Sequence, residues 1–126
     1  MSNPGPQRQP TSRLRRDELE RTLRSVERCI ARGRFDGRAY RSLESFAEQA
    51  SDLSILNRIG DLLARSDRLG PGIAVFERVA RAYADDGFWA KAIAIYQKIL
   101  RYDPRRTDVR ARLAFLYQHS GLPTRA

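Results

Sequence analysis

Residues 73–104, IAVFERVARAYADDGFWAKAIAIYQKILRYDP, decide how the chain is read. Ile73, Phe76, Val79, Ala80 and Tyr83 recur at the three- and four-residue spacing that lays apolar side chains along one face of a helix. Ala92, Ile93, Tyr96, Ile99 and Leu100 repeat the pattern. Gly87 stands between the two runs, where a left-handed residue ends a helix and turns the chain. Asp103-Pro104 closes the second run, because the residue before proline avoids the helical region. Two helices are therefore predicted, to about Asp85 and from about Phe88 to Tyr102. Pro71 suits the first helical position of the earlier one, since its missing N–H would be an orphan there anyway.

Working outward, the same period continues on both sides. Val109, Leu113, Ala114, Leu116 and Tyr117 form the inward face of a last helix that starts near Thr107 and stops at Gly121 and Pro123. Leu56, Ile59, Gly60 and Leu63 mark a helix from about Leu53 to Ser66, with Ser51-Asp52 as its N-cap. Leu43, Phe46, Ala47 and Ala50, with Ala39 or Tyr40, mark another from about Asp36 to Ala50. Leu19, Leu23, Val26 and Ile30 form the stripe of the first helix, which Gly33 stops. Cys29 flanks that stripe and is expected to be a small core residue, since no base or second thiol accompanies it. The short Gly-containing link after it predicts an antiparallel hairpin over residues 13–52. No stretch alternates with period two, so the expected class is all-α with about six antiparallel helices. Residues 1–12 hold Pro4, Gly5, Pro6 and Pro10 and no large apolar side chain after Met1. They are expected to form a disordered tail, and residues 122–126 a short tail at the other end.

A shift of 34 residues against itself aligns Val75 with Val109, Arg78 with Arg112, Ala80 with Ala114, Tyr83 with Tyr117 and Gly87 with Gly121. Helices alternating at that period resemble the tetratricopeptide repeat family. Starting from Ile73, the residues that fit the family pattern are Phe76, Val79-Ala80, Tyr83, Gly87, Ala92, Tyr96, Ile99 and Pro104. The resemblance covers about residues 53–121 and is strongest over 73–121. Leu56, Ile59-Gly60 and Leu63 offer a competing register, in which the helix after residue 70 changes role. The register containing Tyr83, Gly87 and Pro104 is preferred, and Gly60 then marks close packing only. The resemblance implies a short helical solenoid whose first helices line a concave, partner-binding surface. It assigns that surface to Glu77, Arg81 and Asp85, and to Ala111, Phe115 and Gln118 of the last helix. Some family members clamp a C-terminal carboxylate there with polar residues, and Ala111 and Phe115 argue against that mode. Phe115 favours an apolar anchor on the partner instead.

The chain has 126 residues, a single cysteine and a net charge of +9, carried by 22 arginines and only Lys91 and Lys98. Residues 1–50 contribute +4 and residues 51–126 contribute +5, with acids interleaved as in Arg15-Arg16-Asp17-Glu18. Such interleaving suits solvated helix faces and a mild preference for acidic partners. One cysteine makes no internal disulfide, no apolar run approaches a membrane span, and the start has no apolar signal core. A cytoplasmic protein is the expectation. His119 is the only histidine, so no His/Cys metal cluster is expected. No nucleophile motif or phosphate loop occurs either, so neither a cofactor nor catalysis is expected. The functional expectation is a non-enzymatic adaptor or scaffold that binds a protein or peptide. Phe115 and Leu116 of the last helix would add self-association or a constitutive partner. An arginine-rich module for nucleic acid or another anionic surface is the second reading.

Overall fold

The structure is a computed structural model that describes residues 12–34 and 37–122. Its elements are α1 (Ser12–Ala31), α2 (Gly37–Gln49), α3 (Leu53–Arg65), α4 (Leu69–Asp85), α5 (Trp89–Tyr102) and α6 (Thr107–Ser120). The fold is all-α, with no strand among the described residues. No helix among them is long and apolar enough to cross a membrane. The tail expected over residues 1–12 lies outside the described residues except for Ser12, which already begins α1. Of the tail expected over 122–126, only Leu122 is described.

The punctuation works as its chemistry requires. Gly33, Gly87 and Gly121 all take left-handed φ values, of 70°, 83° and 73°. Any side chain would be strained there. Asp52 caps α3, its carboxylate accepting from the N–H groups of Ser54 at 2.9 Å and Ile55 at 3.1 Å. One boundary differs from expectation. α4 starts at Leu69, so Pro71 is its third residue rather than its first. The first helical bond runs from Gly72 N–H to the Arg68 carbonyl, which leaves Pro71 among the positions that need no donor.

Successive helices pack through apolar faces into one core, from Leu23 and Val26 on α1 to Val109, Leu113 and Leu116 on α6. The α3–α4 crossing is the tightest. A Cβ placed on Gly60 would lie 2.5 Å from the Phe76 ring, and one on Gly72 would lie 3.0 Å from the Gly60 carbonyl oxygen. Phe76 is fully buried, and its ring stacks on Tyr102 of α5 at 5.9 Å. A single α4 side chain therefore wedges between α3 and α5.

Helices two apart in sequence are joined by polar contacts instead. Arg58 on α3 reaches Glu20 and Glu27 on α1, and Lys98 on α5 donates to Asn57 and Asp61 on α3. Arg78 on α4 donates to the Ala47 and Ala50 carbonyls at the end of α2. Arg106, just before α6, pairs with Glu77 on α4. The odd-numbered helices thus form one layer and the even-numbered ones the other, with the buried apolar residues between them. α1 and α2 each pack on α3 more than on each other.

Three burial expectations change. Cys29 is only half-buried at the edge of the α1 stripe. Ala114 is exposed, whereas Ala80, its equivalent 34 residues earlier, is fully buried. The cause is position: α4 is flanked by α3 and α5, whereas α6 packs along α5. Leu116 points into the core at 4% exposure, so of the apolar pair Phe115-Leu116 only Phe115 faces outward.

Candidate partner-binding face

Glu77, Arg81 and Asp85 recur every fourth residue along one edge of α4, and Ala111, Phe115 and Gln118 along one edge of α6. Arg81 and Asp85 are exposed, as are Ala111, Phe115 and Gln118. Glu77 is not a free surface carboxylate. It accepts from the Arg106 guanidinium at 2.6 Å, and the same nitrogen lies 2.7 Å from Asp108. This carboxylate–guanidinium–carboxylate bridge fixes the start of α6 on the middle of α4 and puts both sets of residues in the even-numbered layer. Among the described residues, no hydrogen bond or ion pair joins Arg81 or Asp85 to the α6 set.

Charge-assisted bonding from Arg106 is the main cause holding the Asp108 carboxyl at about 2, below the ordinary aspartate range. The same bridge raises the Arg106 guanidinium still further above its already high range, with Asp108 the first cause and Glu77 the second. A depressed carboxyl contributes stability that is complete above its unfolded value and is lost as pH falls through the folded one. The Asp108 contribution should therefore fade between about pH 4 and pH 2. A carboxyl titration by NMR should place its midpoint at about 2, and Arg106→Ala should return it toward the ordinary aspartate range.

Among the described residues Phe115 is the most exposed large apolar side chain, at 55%, with Phe88 close behind at 53%. Its ring stacks on His119 at 3.9 Å, and His119 Nδ1 donates to the Phe115 carbonyl at 2.8 Å. The histidine stiffens the phenyl ring without covering it. Its neighbours on the helix surface are Ala111, Arg112, Gln118 and His119.

A second face lies on the odd-numbered layer. Glu27, Arg58, Asp61, Arg65 and Tyr102 line an open cleft of about 250 Å³. Lys98 pairs with Asp61 at 3.0 Å, and its ammonium lies 4.5 Å from the centre of the Phe76 ring. Arg58 pairs with Glu27 and Lys98 with Asp61, so these charges tie the helices together, while Arg65 stays exposed at the rim. Sequence reasoning did not single out this set. The spacing of Asn57, Arg58, Asp61 and Arg65 does place them on one helix face, but their partners on α1 and α5 are distant in sequence.

Among the described residues, no group of three or more His, Cys, Asp or Glu is arranged to hold a metal ion. No protein-family model, curated protein or solved structure matches the chain.

Proposed function

We propose that the protein is a non-enzymatic adaptor of tetratricopeptide type that binds a segment of another protein through the α6 face centred on Phe115. The observation that carries this reading is a half-exposed phenyl ring, stacked on His119 beside Ala111 on the α6 face; Phe88, the other half-exposed phenyl ring among the described residues, instead packs edge-on against Tyr83. Exposed apolar groups of this kind mark contact surfaces, and a rigid aromatic anchor loses little entropy on binding. The alternation of helices at a 34-residue shift and the two-layer packing support the family reading. Arg81 supplies a cation on the same layer for an acidic flank of the partner. A chain with one cysteine and no need of a disulfide suits the cytoplasm.

The test is Phe115→Asp. The variant should keep the helical circular dichroism of the parent, because the ring contributes little to the core. It should lose the proteins that co-purify with the parent chain, or the dimer mass if the partner is a second copy. Arg81→Glu should weaken the same interaction less. An interaction or mass that Phe115→Asp leaves unchanged overturns the reading.

A further inference from the structure

The arginines that are spread evenly along the sequence are not spread evenly in space. α1, α3 and α5 run one way and α2, α4 and α6 the other. Three contacts fix this arrangement: Arg16 at the start of α1 meets Asp52 at the start of α3, Arg68 at the start of α4 lies 4.4 Å over the Tyr40 ring at the start of α2, and Arg65 and Tyr102, at the ends of α3 and α5, share one cleft. The links α1–α2, α3–α4 and α5–α6 therefore gather at one end of the molecule, and α2–α3 and α4–α5 at the other.

The two ends differ in charge. The first carries Arg32 and Arg34, then Arg65 and Arg68, then Arg101 and Arg105, all exposed. The acids described there are Asp67, Asp103 and Asp108, with Glu27 and Asp61 in the cleft beside Arg65; Asp108 is already held by Arg106, and Asp103 lies 4.0 Å from the Arg105 guanidinium, which is itself almost fully exposed. At the opposite end the links carry Asp52 and Asp86, with Asp85 closing α4, and the cations described beside them are Arg16, which is paired with Asp52, and Lys91. Among the described residues the arginine end has few apolar anchors: its exposed large apolar groups are Leu69 and Tyr102, each at 37%, and Tyr102 is stacked on Phe76.

We infer that the arginine end binds the phosphate backbone of double-stranded nucleic acid without reading its bases. This surface is distinct from the Phe115 face. A guanidinium grips a phosphate bidentately, which suits a surface built from arginine rather than lysine. A duplex presents phosphates already in place. A flexible acidic peptide would lose chain entropy on binding and find no pocket here for its apolar side chains. A single strand would require exposed aromatic platforms for its bases, which this end does not offer among the described residues. Helices packed about 10 Å apart spread the linking segments over roughly 20 Å, the length of about six base pairs at 3.4 Å each.

The test uses the full chain and two 24-base-pair DNA duplexes of unrelated sequence, titrated by fluorescence anisotropy across salt concentrations. Both duplexes should bind with equal affinity, and the logarithm of the binding constant should fall linearly with that of the salt concentration. The triple change Arg34→Ala, Arg65→Ala and Arg105→Ala should make that slope shallower by about 2.7, at about 0.9 per phosphate contact. The corresponding lysine substitutions should retain most of the slope, and Lys91→Ala, at the acidic end, should leave it unchanged. No duplex binding at low salt, an unchanged slope in the triple alanine variant, or unequal affinity for the two sequences overturns the inference. So does tighter binding to phosphatidylserine vesicles or to poly-glutamate than to the duplexes. Phe115→Asp should bind duplex as the parent does, so failure of the adaptor reading and failure of this one are separately visible.

Discussion

Phe76→Ala should cost about 3–5 kcal/mol of folding stability, the range for removing a fully buried aromatic ring. The ring is 0% exposed, and it touches more than the core of its own helix pair. It stacks on Tyr102 of α5 at 5.9 Å, carries the Lys98 ammonium 4.5 Å from its centre, and packs against the bare backbone at Gly60 of α3. Its removal opens a void where α3, α4 and α5 meet and takes away the surface under a cation that α3 also holds. Urea unfolding should show a lower midpoint with an unchanged slope, which marks a change of stability rather than of the surface exposed. Phe76→Leu retains much of the volume but loses the stacking and the cation contact, so it should cost about 1–2 kcal/mol. Against a total of about 5–15 kcal/mol for a domain, the alanine variant approaches the limit of folding. A loss below about 1 kcal/mol would show that the ring is not the wedge between the layers.

The helices themselves were legible because each carries its own apolar stripe and its own stop. Gly33, Gly87 and Gly121 needed only local geometry to be recognised, and Asp52 announced itself as a cap by standing just before an apolar run. What could not be read was everything that depends on a neighbour distant in the chain. The periodicity that puts Ala80 inward puts Ala114 on the equivalent face, yet only α4 has helices on both sides to bury it. Glu77 stood out as an outward-facing acid. That it is engaged depends on Arg106, 29 residues on and in a link between helices. The even spread of arginine had the same weakness. Counting charge along a chain is blind to a topology that folds alternate links to the same end.

Gly60 gives the second large effect, and there the direction of the change is the informative part. Helix propensity alone favours Gly60→Ala by about 1 kcal/mol, since glycine in mid-helix loses more backbone freedom than alanine. The packing opposes it, because the new methyl would fall 2.5 Å from Cε1 and 2.8 Å from Cδ1 of Phe76. That ring cannot swing aside, being pinned by Tyr102 and Lys98. Overpacking of this kind costs about 1–3 kcal/mol, so the single variant should be destabilised despite its better propensity. In the Phe76→Ala background the obstacle is gone, and the same Gly60→Ala change should become stabilising by about 1 kcal/mol, since the methyl fills part of the void and the propensity gain is unopposed. A double-mutant cycle measured by urea unfolding reads this reversal as a coupling energy between positions 60 and 76. Gly72→Ala is the contrasting case. Its methyl would meet the Gly60 carbonyl oxygen at 3.0 Å and the Ala64 nitrogen at 3.1 Å, which are backbone atoms that no side-chain deletion removes. It should therefore destabilise in both backgrounds. Equal behaviour of positions 60 and 72 across the cycle would mean that the two helices separate freely, and that the close crossing does not set the spacing of the layers.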